Sequence, residues 1–302
     1  KIEEEFEYLK SLNLDLAIVV AYGQILSKDI LKLSRNGFIN IHASLLPKWR
    51  GAAPIQRSLI NMDKITGISI MKINQNLDEG PVCNKYPLEI LENENAKNLS
   101  DRLSKLSAEK ILENIDKIFN KKVTFEEQDN SVASYAKKIQ KKEGKINWTE
   151  NANQIIAKIN GLYPSPGAWF NFENQRYKIL KAELSENSAK LGEIVDDELT
   201  ISCGEKSLKV IEIQREGKKP QLLVTLRDGE VLSLDIEASI HHAITSNNKN
   251  ATDGFGTSQI TRSSTLLSAA NCSLPESQWP KSLHRLASET SGSRLAGVTT
   301  IP

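Results

Sequence analysis

The sequence is short of the residues and runs from which several classes of protein are built. Its three cysteines, Cys83, Cys203 and Cys272, are isolated in 302 residues and form no C-x-x-C pair, so they indicate neither a zinc site nor a disulfide framework. Thiols of this kind fit a reducing compartment. The longest apolar run, 14–21, contains Asp15 and is far too short to cross a bilayer. Neither G-x-G-x-x-G nor a P-loop is present, so no nucleotide-phosphate site, metal site or membrane contact is predicted.

Basic side chains outnumber acidic ones only in the middle part of the chain. The net charge of +1 gives no overall nucleic-acid signature, but residues 131–222 carry 15 basic and 12 acidic side chains, a net of +3. Such a run could follow a phosphate backbone, or it could be an ordinary solvated linker, and composition leaves both open. The clustered lysines are Lys137, Lys138, Lys141, Lys142 and Lys145, with Glu143 as the single opposing charge.

Strands alternate with helices over the first 120 residues. Because this alternation is typical of βαβ units, it predicts a parallel, doubly wound, Rossmann-like α/β sheet with helices on both faces. Ligands of such sheets bind beyond the carboxyl ends of the strands. The predicted strands cover 16–21, 37–41, 66–73 and 82–90, and the predicted helices cover 2–12, 27–33, 54–61 and 96–119.

The strand at 37–41 ends in a polar pair. Asn40 and His42 alternate along it, so both side chains leave the same face. An amide that can donate to an oxyanion, beside an imidazole, suits attack on a carbonyl. The same pair also fits a strand end at which Asn caps a turn and His lies in the core. Asp78, thirty-six positions after His42, lies in a polar loop that also fits a simple Asx turn.

A family resemblance joins these residues. Asn40, His42, the Ser44-Leu45-Leu46-Pro47-x-x-x-Gly51 loop and Asp78 resemble the signature of the folate-dependent formyltransferases, and the run 49–59 is most similar to their methionyl-tRNA branch. The resemblance implies transfer of a formyl group from 10-formyltetrahydrofolate to the amino group of initiator methionyl-tRNA, for translation initiation. No metal is implied.

The resemblance also implies roles for the catalytic side chains. Asn40 is expected to be the main donor to the oxyanion, and His42 a second donor and proton carrier. Asp78 is expected to orient His42 and to take the amine proton through a water molecule. Folate contacts are expected from Tyr22, Gly23, Ile25, Ser44, Leu45, Leu46, Pro47, Gly51 and Leu77, and tRNA contacts from Arg50, Lys137, Lys138, Lys141, Lys142 and Lys145.

The second half resembles the C-terminal domain of the same family. Residues 141–148 and 163–169 carry that resemblance, and short predicted strands at 177–182, 192–195, 199–203 and 208–214 are typical of an OB-like β-barrel. Trp148 and Trp169 could stack on bases, although core packing is the favoured interpretation. His241 and His242 could hold a metal, but neighbouring side chains on a strand point apart.

These patterns divide the chain into four parts. We expect a partial formyltransferase domain at 1–120, a linker at 121–136, the OB-like domain at 137–222 and an unassigned, mostly disordered tail at 223–302. The catalytic domain is expected to lack the first strands of the family, which would expose a strand edge. We expect a monomer in the cytoplasm, with location in an organelle as an open alternative. Two alternatives remain: a formyltransferase for an amino-sugar nucleotide, and an inactive fragment.

Overall fold

The computed structural model of the protein describes residues 2–172, 175–187, 189–196 and 198–222. The expected tail at 223–302, with His241 and His242, lies outside the described residues, and so does Cys272. Within the described ranges, no helix combines the length and apolar character needed to cross a membrane.

The first half of the chain forms a four-stranded sheet whose strands lie in chain order. β1 pairs with β2 in parallel, whereas β2–β3 and β3–β4 are antiparallel. The sheet is therefore mixed, and the predicted all-parallel arrangement is wrong. The strands are β1 (Ala17–Val19), β2 (Phe38–His42), β3 (Ile65–Lys72) and β4 (Val82–Glu89).

Connection length explains the two antiparallel pairs. Only a nine-residue loop, 73–81, joins β3 to β4, and this is too short for the crossover that a parallel pair needs. Between β2 and β3, the loop 43–53 and a helix of only seven residues return the chain to the same end of the sheet at which β2 finished, so β3 runs back beside β2. The alternation of helix and strand in sequence could not reveal that this helix does not cross the sheet.

Helices cover the two faces of this sheet. α4 packs Leu99 and Leu103 against Ile41 and Ile68, and Ile118 against Ile39, so it covers the face opposite Asn40 and His42. α2 lies on the other face, where Ile30 packs with Phe38, and the Ser27 hydroxyl caps its first turn by accepting from the Ile30 N–H. The helices are α1 (Phe6–Ser11), α2 (Lys28–Leu31), α3 (Pro54–Ile60) and α4 (Ala96–Phe119), and a 3-10 turn covers Ile2–Glu5.

The second half packs one helix, α5 (Ala152–Leu162), on an antiparallel sheet of five strands. The path runs β5–β6–β8–β7, and β9 pairs with β8. Its two end strands, β5 and β7, do not pair within the described residues, so a closed OB-like barrel is not confirmed. The strands are β5 (Ala168–Phe172), β6 (Gln175–Ser185), β7 (Thr200–Ser202), β8 (Ser207–Arg215) and β9 (Gln221–Leu222).

Two local predictions in this half differ from the structure. The predicted strand at 192–195 is reduced to one bridge between Ile194 and Ile201. β5 was not predicted, because the Pro- and Gly-rich run 164–167 before it is typical of a loop. The core contains Ile155 and Ile159 of α5, and Trp148 packs against it in an edge contact with Phe170, as the core interpretation of Trp148 predicted.

The two halves meet at helices α3 and α5. A Cβ at Gly161 would lie 2.6 Å from the Ile60 side chain, so the helix backbones approach closely there. Beside this contact, Arg57 of α3 donates to both carboxylate oxygens of Glu143, at 2.7 and 3.2 Å. The hydrogen bonds from Arg57 hold the pKa of Glu143 below its usual value. The missing side chain of Gly161 and the Arg57–Glu143 ion pair therefore hold the two halves together, next to the predicted RNA-contacting lysines.

Candidate active site

Asn40 and His42 lie together on one face of β2, as the alternation predicted. His42 ends the strand and is 6% exposed, while Asn40 is half-buried. Both side chains line one cleft together with Asp78. The Asn40 amide makes no side-chain hydrogen bond within the described part of the chain, so its N–H groups remain available to a ligand.

The orientation of His42 is set by a backbone carbonyl. His42 Nε2 lies 2.8 Å from the Trp49 carbonyl oxygen, and because a carbonyl only accepts, Nε2 carries the hydrogen. Nδ1 then faces the Asp78 carboxylate at 3.7 Å, beyond hydrogen-bond distance. The expectation that Asp78 orients His42 is therefore corrected: Trp49 fixes the tautomer, and Asp78 provides negative charge beside Nδ1.

Asp78 reaches this position because its loop folds back over the sheet. β3 runs antiparallel to β2, so its carboxyl end lies beside the start of β2, at Ile39, and the 73–81 loop returns toward His42. Asp78 adopts a left-handed backbone, with φ of 53°, and its Oδ2 accepts the Gly51 N–H at 2.8 Å. The Asp78 loop and the loop after β2 are thus joined directly at the site.

Gly51 is required by two independent constraints. Its φ of +111° is unfavourable for any residue with a Cβ, and an added Cβ would lie 2.9 Å from the Ala136 carbonyl oxygen. The close approach allows the Ala53 N–H to donate to the same carbonyl at 3.2 Å. A glycine here therefore permits the segment that precedes the second half to pack on the loop after β2.

The loop after β2 is supported from beneath by serines. Ser44 Oγ donates to the Lys48 carbonyl at 2.5 Å, and Ser69 Oγ donates to the Ser44 carbonyl at 2.7 Å while accepting from the Leu46 N–H at 3.0 Å. Leu46 is 1% exposed in a core cluster with Met71 and Val82. These side chains hold the loop in place. Of the expected folate contacts, Ser44, Leu45, Leu46 and Pro47 do not line the cleft.

Arg50 does not have the role expected of it. Its side chain is 1% exposed, so it does not present a charge to RNA phosphate. Instead, Nε donates to Gln128 at 3.0 Å, Nη2 donates to Asn130 at 2.8 Å, and Nη1 lies 3.4 Å from the Glu79 carboxylate. The predicted tRNA contact is therefore wrong for this residue, and Arg50 is a buried link between three segments.

The predicted linker packs against the two catalytic loops, 43–53 after β2 and 73–81 after β3. Backbone hydrogen bonds join residues 126–136 to the first residue of β4, between Glu126 and Val82, and to the loop after β2, from Arg50 N–H to Ser134 O and from Ala136 N–H to Arg50 O. The Ser134 hydroxyl also accepts from the Trp49 N–H at 3.0 Å. The sequence carried little signal for this, because a short polar run rich in Gln, Asp, Asn and Ser is typical of a solvated connection.

A carboxylate supports Trp49 from the side. Asp63 Oδ2 accepts from the Trp49 indole Nε1 at 2.8 Å and pairs with Lys48 Nζ at 2.8 Å. Burial alone would raise the pKa of Asp63, but hydrogen bonds from Lys48, Trp49 and Asn61 together hold that pKa below its ordinary value. Asp63 therefore stays ionised and fixes the residue whose carbonyl orients His42.

A cleft of about 730 Å³ opens beside Asn40, His42 and Asp78. This volume is within the range of small-molecule sites, and most of the lining is apolar. Five of the nine expected folate contacts line it: Tyr22, Gly23, Ile25, Gly51 and Leu77. The cleft also runs along β1 and along Ser100, Ser104 and Ser107 of α4, whose spacing of four and three places them on one helix face.

The clustered lysines occupy an exposed surface. Lys137, Lys138, Lys141, Lys142 and Lys145 are all exposed, and their single opposing charge, Glu143, is paired with Arg57. Beside them is a smaller cleft of about 340 Å³, where the Arg176 guanidinium lies 4.2 Å from the ring centre of Trp169. Trp169 is half-buried and is not part of the core. The cleft also has Lys141, Lys178 and Arg215 in its lining.

Family comparisons agree with this arrangement. The model of the formyl transferase family matches residues 2–115, and the model of the formyl transferase C-terminal domain matches residues 138–226. Two solved structures share the fold. One is HypX from Aquifex aeolicus in complex with tetrahydrofolic acid, at TM-score 0.56 and 14% identity, over 72% of this chain and 39% of that one. The other is an N-formyltransferase from Helicobacter canadensis with folinic acid and dTDP-3-aminofucose, at TM-score 0.53 and 20% identity, over 63% and 70%.

Curated relatives are far more similar in sequence. The methionyl-tRNA formyltransferase of Pelagibacter ubique is 62% identical over 220 residues, which cover 72% of this chain and 71% of the relative. That of Thermodesulfovibrio yellowstonii is 46% identical over 213 residues, covering 70% and 69%. With such identity over more than two thirds of each relative, the chain belongs to the methionyl-tRNA formyltransferase family.

Proposed function

We propose that this protein transfers the formyl group of 10-formyltetrahydrofolate to the α-amino group of initiator methionyl-tRNA, for translation initiation. The observation that carries the proposal is the meeting of Asn40, His42 and Asp78 at one cleft, in a chain 62% identical to a curated enzyme of that activity. An amide donor, an imidazole with a fixed tautomer and a carboxylate are the groups that acyl transfer to an amine requires.

The folate fits the cleft in size and chemistry. When bound, 10-formyltetrahydrofolate supplies an activated formyl carbon. The apolar wall of Tyr22, Ile25 and Leu77 suits its ring system, and the Gly23 and Gly51 backbones leave room beside it. We assign the contacts to these five residues, and we assign Ser44, Leu45, Leu46 and Pro47 to support of the loop.

Asn40 and His42 have separate tasks in the proposed reaction. The Asn40 amide, which has no partner among the described residues, donates to the oxygen of the formyl group as negative charge develops on it. His42 uses Nδ1, the nitrogen left unprotonated by the Trp49 contact, to take a proton from the attacking amine. Its Nδ1–H then returns that proton to N10 of the departing folate, so the imidazole ends neutral.

Asp78 stabilises His42 while the imidazole carries the proton. Its Oδ2 lies 3.7 Å from Nδ1, so the carboxylate faces the imidazolium charge. The hydrogen bond from the Gly51 N–H keeps Oδ2 at that position. A water molecule between the two groups would also allow Asp78 to take the amine proton, as expected from the resemblance.

We assign the tRNA contacts to the exposed lysines and the neighbouring cleft. Lys137, Lys138, Lys141, Lys142 and Lys145 lie on one continuous segment, and the pairing of Glu143 with Arg57 leaves their charge uncompensated. Arg176, Lys178 and Arg215 extend the basic surface around Trp169. Such a surface binds a nucleic acid backbone by releasing counterions.

Several further features belong to the same proposal. We propose a doubly wound, Rossmann-like catalytic domain at 1–120, a linker at 121–136 and an OB-like domain at 137–222. We also propose a monomer that acts in the cytoplasm, where tRNA is charged. The monomer can be checked by light scattering, and the OB-like topology by a crystal structure.

The test is single-turnover formylation of methionyl-tRNA with 10-formyltetrahydrofolate. It uses the 302-residue chain, alone and preceded by the N-terminal segment of the Pelagibacter relative, each with and without His42→Ala. We expect transfer that requires His42, since loss of a group acting on the developing charge costs on the order of a hundredfold. Formylation of an amino-sugar nucleotide instead of methionyl-tRNA would overturn the substrate, and a fully active His42→Ala variant would overturn the site.

A further inference from the structure

Gln128 uses every hydrogen-bonding group of its side-chain amide on the two catalytic loops. Nε2 donates to the Asp78 carbonyl at 2.8 Å and to the Gly80 carbonyl at 2.7 Å, and Oε1 accepts from Arg50 Nε at 3.0 Å. Gln128 lies in the segment that joins the two halves, fifty residues from Asp78 in sequence. One side chain thus connects the loop after β2 with the loop after β3.

These contacts close a ring of hydrogen bonds around Asp78. The carboxylate of Asp78 is held by the Gly51 N–H at 2.8 Å, and its carbonyl is held by Gln128. Gln128 in turn holds the side chain of Arg50, the residue before Gly51. Asp78 needs such support, because its φ of 53° lies in the left-handed region that residues with a Cβ adopt at a cost.

We propose that Gln128 is a positioning residue for formyl transfer, which fixes Asp78 so that its carboxylate faces Nδ1 of His42. This inference rests on the proposed function, because it takes Asp78 as the group that stabilises His42. Gln128 does not line the cleft, so it can act on the reaction only through the loops that it holds. Its effect is therefore on the rate of transfer and not on the affinity for folate.

Three variants separate positioning from general support. Gln128→Ala removes all three contacts. Gln128→Glu keeps and strengthens the partner of Arg50 but cannot donate to the Asp78 and Gly80 carbonyls. Asn130→Ala is the matched control, because Asn130 also accepts from Arg50, at 2.8 Å, but does not contact Asp78. All three are measured in the form of the protein that is active in the formylation assay.

We expect Gln128→Ala and Gln128→Glu to lower the single-turnover rate by about tenfold to a hundredfold, since misplacement by about an ångström can cost that much. The KM for folate should change by less than about twofold, and Asn130→Ala should leave both values within about twofold of the wild type. In an Asp78→Asn background, Gln128→Ala should add little, because residues that act as a unit are not additive. A wild-type rate for Gln128→Glu, or an equal loss in the Asp78→Asn background, would overturn the proposal.

A second measurement does not depend on formylation. The Gly51 amide donates to the Asp78 carboxylate, so release of Asp78 exposes that N–H to solvent. Hydrogen exchange at Gly51 should accelerate by at least about tenfold in Gln128→Ala and Gln128→Glu, but not in Asn130→Ala. Unchanged protection in the two Gln128 variants contradicts positioning. Altered protection in a protein that formylates nothing would instead leave the positioning intact and reject the proposed function.

Discussion

Replacing Arg50 with alanine should destabilise the protein without removing an RNA contact. The guanidinium is 1% exposed and makes two side-chain hydrogen bonds, at 3.0 and 2.8 Å, and one ion pair at 3.4 Å. Hydrogen bonds to a charged group each contribute about 1.5–3 kcal/mol, and loss of one member of a buried pair costs about 3–5 kcal/mol.

The cost for Arg50→Ala should lie at the lower end of that range. The Glu79 side chain is 28% exposed, so water can replace part of what it loses. Asn130 is exposed and regains water as well. We therefore expect the free energy of unfolding to fall by about 3 kcal/mol, measured by denaturant titration and fitted over the transition of the first half of the chain.

Lys141→Ala is the matched comparison, because Lys141 is exposed and belongs to the clustered lysines. It should change the unfolding free energy by less than about 0.5 kcal/mol. It should also lower the slope of log affinity for tRNA against log salt by about one. Arg50→Ala should leave that slope unchanged. An Arg50→Ala protein of normal stability with a reduced salt slope would show that Arg50 contacts phosphate after all.

Three further results are expected. Gly51→Ala should lose far more activity and stability than Gly37→Ala, because both glycines have positive φ but, of the two, only Gly51 would bring a Cβ within 2.9 Å of another backbone atom. Equal losses of formylation rate and of unfolding free energy in the two variants would contradict this packing argument. Because its folded pKa is lowered, ionised Asp63 should contribute stability that is present above its unfolded pKa, near 4, and is lost as pH falls through the folded pKa. Asp63→Asn should therefore flatten the fall in unfolding free energy between about pH 6 and pH 2, and an unchanged fall would argue against this contribution. Burial raises the pKa of Cys83 and Cys203 to about 11, so at pH 8 both thiols should react with iodoacetamide at least about a hundredfold more slowly in the native protein than in the unfolded protein. Mass spectrometry of the separate peptides measures the two rates, and similar rates would show that the native thiols are accessible as thiolates.

Sequence reasoning succeeded where side-chain type and period carry the information. The apolar period of α4 gave its limits, 96–119, and the alternation of Asn40 and His42 placed both on one face of β2. The family resemblance added Asp78, which the structure brings to the same cleft. These features are local, or are marked by residue types that are costly to place without a function.

The same reasoning failed where the backbone or a distant partner decides. Any residue at position 49 carries a carbonyl, so its bond to His42 has no signature in sequence. The family resemblance led us to expect Arg50 at the tRNA, but its side chain is buried through bonds to Gln128 and Asn130, about eighty residues away. The direction of β3 depended on the path of a connection, which the helical period of α3 does not encode.

The packing of 126–136 on the catalytic loops determines where this protein can be joined to another. A chimaera that exchanged the C-terminal half at residue 120 would bring a foreign connecting segment to Arg50, Trp49 and Asp78, and its own segment would leave with the discarded half. A junction after Ala136 keeps every one of those contacts within one parent. Judged by its internal hydrogen bonds, the transplantable catalytic unit therefore ends at Ala136, seventeen residues beyond the end of α4 at Phe119.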